Sequence, residues 1–300
     1  GVSKISIECP TSSTVSFEGE IKFVIQATQI GADTKQIVNV DSISELKTQL
    51  TKLTSAESKN NIINITEDIE LGNNETWKST KVDGYHGAGV ITINGNGHTI
   101  KGLDAPLIAD GFAGKSGIVI NDLKIDSMNI NDTESTLGLG AFVGYSDAMT
   151  TIVLNNCHLT NSTIYSSAGA RVGGLIGWTS GYDKTDDGPV DTFVTIKDCK
   201  VENCTLTASG SVGGIIGHAG ANPATYQTIV DCEVNNCILQ SINSQKNYVG
   251  YVVGTANVGQ LTITNCTSEN GEVADMVDKV YGRFVPGETG KLIINGQAVS

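Results

Sequence analysis

Arginine is nearly missing from this chain: in 300 residues, only Arg171 and Arg283 carry a guanidinium. Lys and Arg together number 19 against 32 Asp and Glu, and the formal net charge is -13. No basic cluster is available to track a phosphate backbone, so nucleic acid is excluded as a partner. Attachment to anionic lipid is excluded on the same ground, and so few bidentate donors also count against a polyanionic ligand. No apolar run reaches the roughly 18 residues that a membrane span requires, so membrane insertion is not expected. Prolines number 5, aromatics make up 5% and charged residues 17%. The Glu/Lys/Leu-rich stretches of an all-α protein are absent. The 7 cysteines form no C-x-x-C pair, and neither H-x-x-x-H nor H-E-x-x-H occurs among the 4 histidines, so neither a metal nor another cofactor is expected. No signal peptide is visible. Gly1 before Val2 reads as the scar of tag removal, with the targeting signal expected to have been cut off ahead of it.

Glycine, Asn, Thr, Ser, Ile and Val fill the space left, a mixture that favours strands joined by tight turns. They are organised as repeats. Thr151 to Gly177 reads TIVLNNCHLTNSTIYSSAGARVGGLIG, and Phe193 to Gly217 reads FVTIKDCKVENCTLTASGSVGGIIG. Thr228 to Gly254 and Gly117 to Gly144 are further copies, and a degenerate one starts at Gln260. The apolar residues alternate, as in Ile152-Leu154 and Val194-Ile196, which is the period of a strand. Each copy therefore predicts about three short strands, and copies stacked in register predict parallel sheets.

Two columns support that register. Leu123, Cys157, Cys199, Cys232 and Cys266 share one template position, and Met128, Ser162, Cys204 and Cys237 share another. Cys exchanging with Leu or Met behaves as a small buried hydrophobe, and these thiols are expected to be free. The residue before the first column is Asp122, Asn156, Asp198, Asp231 or Asn265, which fits a turn whose side chains bond the neighbouring backbone. Upstream, Val90 to Gly102 reads as the first regular rung, and NIINITEDIEL from Asn61 as another strand candidate. The segment 41–60 predicts an amphipathic helix capped by Asp41 or Ser42, with Glu45 in its first turn and Ile43, Leu46, Leu50 and Leu53 on one face. Its expected job is to cover the open end of the core. The organisation read from the chain is a β segment over 1–40, either part of the cap or the remnant of an upstream domain, the capping helix over 41–60, and a parallel solenoid over 61–300.

The segments ARVGGLIG, GSVGGIIG, NYVGYVVG and LGLGAFVG resemble the GLUG repeat of bacterial surface proteins, adhesin-like proteins among them. The resemblance covers roughly residues 41–290. It implies an all-β fold, a right-handed parallel β-helix with an N-terminal capping helix, at a bacterial cell surface or secreted. Paired glycines such as Gly173-Gly174 and Gly213-Gly214 would let two walls of a narrow solenoid approach. They do not form a nucleotide cradle, because no helix follows them.

Parallel β-helices also carry polysaccharide lyases and glycoside hydrolases, which need carboxylates placed across one bond. Here the Gly97-His98 pair lacks the companion motifs of the polygalacturonase-like family, and Asp186-Asp187 lies in a loop insertion. The expectation is a protein that is not an enzyme and is monomeric. His158 shares its column with Lys124, Lys200 and Glu233 and is expected to face solvent. Tyr145, Trp178 and His218 follow the closing glycine of three successive copies, and the insertion after Trp178 adds Tyr182 and four Asp residues. These four side chains, Tyr145, Trp178, Tyr182 and His218, are the candidate ligand-binding residues for a glycan or a host or surface protein. The plainer alternative is that the rings pack against the loops beside them and that the protein is a passive stalk. Calcium binding by the insertion at 179–191 is left open.

Overall fold

The structure, a computed structural model, describes residues 36–52, 61–73, 75–77, 90–110, 117–146, 151–180, 184–185, 188–189, 191–220, 225–242, 248–257, 259–273, 280–287 and 290–299. All of them belong to one compact unit, Thr34–Ser300. It is an all-β parallel β-helix.

A full turn is seen in the second regular copy. The chain runs through strands Thr151–Asn155, His158–Thr160, Thr163–Ser166, Arg171–Gly173 and Ile176–Thr179. Each strand pairs in parallel with its equivalents one rung before and one rung after, forming long walls. The longest wall holds ten strands. The turn thus has five short strands where about three were expected. The extra breaks come from bends in the left-handed region. Asp122, Asn156, Asp198, Asp231 and Asn265 all have φ between 51° and 54°. A second column, Ser127, Asn161, Asn203, Asn236 and Asn270, repeats the bend with φ between 50° and 55°. Asn and Asp tolerate this conformation best among residues with a Cβ, so each rung turns twice within a few residues.

The bends hold together across rungs. Asn156 Nδ2 donates to Asp122 Oδ1 at 2.7 Å, and Asn161 Nδ2 donates to Asp126 Oδ1 at 2.8 Å. The column predicted to bond neighbouring backbone instead bonds side chain to side chain between rungs, as Asn156 does with Asp122 and Asn265 with Asp231. A third ladder runs along the first rungs, where Asn94 Nδ2 donates to Asn64 Oδ1 at 2.9 Å and Asn121 Nδ2 to Asn94 Oδ1 at 3.1 Å.

Inward positions fill the core. Ile118, Ile152 and Val194 align, as do Ile120, Leu154, Ile196, Ile229 and Ile263, and all are buried. The cysteine columns sit at the corners of that core. Cys157, Cys199, Cys204, Cys232 and Cys237 are free and buried, and Cys266 is free and partly buried. Cys9 lies outside the described residues. Each thiol donates to the carbonyl two residues back, for example Cys204 Sγ to Glu202 O at 3.2 Å and Cys237 Sγ to Asn235 O at 3.1 Å. Ser162 does the same to Thr160 O at 2.6 Å, which is why a serine fits a cysteine column. The Cys232 thiol is pushed up to about 12, by its hydrogen bond with Cys199 first and by burial as well. At neutral pH these buried thiols should resist alkylation by a maleimide and react fully once the chain is unfolded. Rapid labelling of the folded protein at Cys157 or Cys199 would contradict the packing.

The helix runs from Ile43 to Lys52, and 53–60 lie outside the described residues. Glu45 N–H donates to Ser42 Oγ at 3.4 Å, and Asp41 N–H donates to Glu45 Oε2 at 3.2 Å. Ser42 is thus the cap, and Glu45 reaches back across it. Leu46 and Leu50 are fully buried in the core cluster. The solenoid starts earlier than 61: Ile37–Val40, placed by sequence in a separate N-terminal segment, pairs in parallel with Ile62–Ile65 and is the first strand of the longest wall. The parallel order also stops short of the C-terminus. Lys291–Ile294 continues the wall, but Gln297–Val299 folds back antiparallel on it. The turn is Asn295-Gly296, both with positive φ, the dipeptide that suits a tight hairpin. No helix among the described residues is long and apolar enough to cross a membrane.

Candidate functional site

The wall that follows the paired glycines carries the predicted aromatic column. Tyr145 pairs with Trp178, Trp178 with His218, His218 with Thr255, and Thr255 with Arg283. The alternation of the strand sends these side chains outward, while Ser146, Thr179, Ala219 and Ala256 point into the core. Three of the four predicted residues are therefore together. Tyr182, the fourth, lies outside the described residues.

Neighbouring rings touch. Tyr145 and Trp178 have centroids 4.7 Å apart at 44°, and Trp178 and His218 are 5.5 Å apart at 31°. The Arg171 guanidinium, from the adjacent wall, lies 4.3 Å from the Trp178 ring centroid. Tyr145, His218 and Arg171 thus crowd an indole that a sugar platform would need open. Trp178 is half-buried, and its Nε1 is enclosed with no hydrogen-bond partner among the described residues. On this geometry the Trp178 ring packs within the column, and polar groups lie beside it.

Those groups line a concavity of about 370 Å³, formed by Arg171, Ser211, His218, Tyr248, Thr255 and Arg283 among others. Arg171 Nη1 donates to Thr136 O at 2.7 Å. Arg283 Nη1 donates to the Tyr248 hydroxyl, and its guanidinium lies 5.1 Å from the Tyr248 ring centroid. Burial pushes the His218 imidazole down to about 4, and the charge of Arg171 adds to the effect. His218 is therefore neutral at pH 7. Ser211 Oγ, His218 Nε2 and Thr255 Oγ1 are enclosed, with no hydrogen-bond partner among the described residues. Native structures leave few such atoms unpaired, because each costs about 1–3 kcal/mol.

The remaining candidates are placed elsewhere. His158 stands between Lys124 and Lys200 as its column predicts, and Lys200 Nζ pairs with Glu233 Oε2 at 2.9 Å. It does not simply face solvent, however. The ring is half-buried and its pKa is lowered, by burial first and then by the two lysines. His98 Nδ1 lies 3.5 Å from Asp68 Oδ1. Trp77 is a core residue whose Nε1 donates to Pro106 O at 3.0 Å. Asp186 and Asp187 lie outside the described residues. Among the described residues, no three His, Cys, Asp or Glu side chains converge on one point as metal ligands would. Sequence reasoning overlooked Phe193 and Tyr226, a stacked pair 5.4 Å apart that is 51% and 40% exposed on the longest wall. The signal was present: both stand second in their strands, at the same template position. It also overlooked that both arginines line one hollow, which no spacing in the chain encodes.

No family model matches the chain, and no curated protein sequence matches it. A solved structure from Bacteroides ovatus, described as a putative immunoglobulin A1 protease, is similar to it with a TM-score of 0.45 and 15% identity, over 87% of this chain and 78% of that one.

Proposed function

We propose that this protein is a non-catalytic, adhesin-like module of a bacterial surface that binds carbohydrate in the concavity beside the aromatic column. The observation that carries this reading is one hollow lined by polar and cationic residues, Arg171, Ser211, His218, Tyr248, Thr255 and Arg283, with no acidic residue among its described lining. Hydroxyls and a neutral imidazole are both donors and acceptors, which suits the mixed hydrogen bonding of a sugar. Tyr145 and Trp178 form the rigid flank of the site. The GLUG-like repeats and the solenoid accord with display at a cell surface, where rungs in series would raise avidity.

The test is binding of the full chain to a broad glycan array and to host matrix proteins, followed by Thr255→Val. Valine keeps the shape of threonine and removes an unpaired buried hydroxyl, so the melting temperature should hold or rise. Affinity for the glycan identified on the array should fall about tenfold, as an apolar side chain replaces a polar one in the wall of the hollow. Unchanged binding by Thr255→Val would move the site elsewhere. A wild-type chain that binds nothing on either panel would leave the passive stalk as the reading. Cleavage of the bound glycan, seen as shortened chains, would replace it with a lyase or hydrolase.

A further inference from the structure

We infer that the ligand of this concavity is an acidic saccharide, with Arg171 and Arg283, three rungs apart at its two ends, each placed to pair with a carboxylate. The inference rests on the carbohydrate reading and specifies its substrate class.

The two arginines are the only ones in the chain. They come from different copies and different walls, Arg171 from strand Arg171–Gly173 and Arg283 from Tyr281–Phe284, yet both line the same hollow. None of its described lining residues is acidic, although Asp and Glu outnumber Lys and Arg by 32 to 19. Among the described residues, neither arginine has a carboxylate partner, and the ion pairs present involve His98, Lys197 and Lys200 instead. Each guanidinium spends one N–H on an oxygen of the protein, Thr136 O or the Tyr248 hydroxyl. Five N–H groups are available on each, so each retains donors for a ligand. The contacts to Trp178 and Tyr248 hold the planar groups in place, which lowers the entropy lost on binding.

The wall between the arginines supplies donors and no negative charge. Thr255 precedes Arg283 in the column and His218 precedes Thr255. Neutral His218 contributes hydrogen bonding without charge, so the positive field comes from the two arginines. A planar carboxylate matches the fork of a guanidinium in two parallel hydrogen bonds. Tyr248 and Asn257 line the same hollow and offer polar side chains to the ring hydroxyls of the sugar.

The experiment compares matched pairs of probes on the full chain: sialyllactose against lactose, oligogalacturonate against its methyl ester, and sulfated against desulfated chondroitin. In the first two pairs the carboxylate-bearing member should bind at least about tenfold more tightly than its neutral partner, as expected for charge-assisted hydrogen bonds, while the two chondroitins, which both carry carboxylates, should bind alike. Arg283→Gln should abolish that preference, and Arg283→Lys should restore part of it. Arg171→Lys keeps the charge near Trp178 and loses the fork, so it should weaken acidic probes while sparing the melting temperature. A preference that follows sulfate alone would replace the carboxylate with a sulfate ester as the group bound. Equal affinity for acidic and neutral probes, unaltered in Arg283→Gln, would overturn the inference while leaving a carbohydrate site. No binding to any probe, acidic or neutral, would remove the carbohydrate reading and the inference with it.

Discussion

Gly213→Ala should destabilise the solenoid by on the order of 4 kcal/mol or more, among the largest effects of adding one methyl group anywhere in the chain. A Cβ built at Gly213 falls 1.9 Å from Ile216 O and 2.7 Å from Gly254 N. Both atoms are backbone, so no side chain can rotate to make room. The strand cannot move alone either, because Gly213 is paired in register with Gly173 before it and Gly250 after it. Its neighbour Gly214 is equally confined: a Cβ there would meet Tyr251 O at 2.1 Å and Val234 Cγ1 at 2.7 Å, the second contact reaching the opposite wall. The paired glycines are therefore where the rung folds tightly on itself and where two walls meet. Gly169→Ala is the control. Its φ is +100°, but the nearest atom to a Cβ there is 4.0 Å away, so only backbone strain is added, about 1–2 kcal/mol. Denaturant midpoints of the two variants should differ clearly. A Gly213→Ala midpoint as high as that of Gly169→Ala would mean that the walls are further apart than the structure places them.

The repeat template was legible because stacking makes each position a column, and a column with one chemistry states its own burial. Ile120, Leu154, Ile196 and Ile229 could only be core, and the cysteine columns fixed the register to the residue. The second bend was less legible, although Asn161, Asn203 and Asn236 each precede a second-column residue, because Ser127 breaks the pattern in the first copy. The start of the solenoid at Ile37 was hidden by the helix, which separates the first strand from its partner and looks like a domain boundary in one dimension. The site divides in the same way. The column Tyr145, Trp178, His218 follows from period and template alone. The crowding of the indole does not, since Arg171 arrives from a different wall at an unrelated template position. Nor does the hollow itself: Arg171 and Arg283 occupy different strands and Ser211 immediately precedes a third, Val212–Gly213, and only the stacking of rungs brings them to one hollow. The scarcity of arginine argued against acidic ligands while the two residues were counted over the chain, and argues for one once both are found in a single hollow.

Leu46→Asp combined with Leu50→Asp should turn a soluble chain into an aggregating one. The two leucines lie one helical turn apart on a single face, and both have no exposed surface. They belong to the hydrophobic core, and their helix lies in the chain between the first two strands of the longest wall, Ile37–Val40 and Ile62–Ile65. Removing two buried leucines forfeits about 4–6 kcal/mol of apolar burial, and the carboxylates replacing them have no cation placed to receive them in that cluster, which adds the cost of burying charge. The helix should detach, since ten residues are too few to persist without tertiary contact. What it leaves behind is strand Ile37–Val40 at the edge of a ten-stranded wall, a row of unpaired backbone groups able to accept another chain. The expected readings are a rise in light scattering, a loss of helical ellipticity and a lower onset of unfolding. Ser44→Asp, exposed in the first turn of the same helix, is the control: its charge lies near the positive end of the helix dipole and should be neutral or slightly stabilising. A double leucine variant that stays monodisperse with an unchanged midpoint would show that the end of the core is closed by something other than this helix.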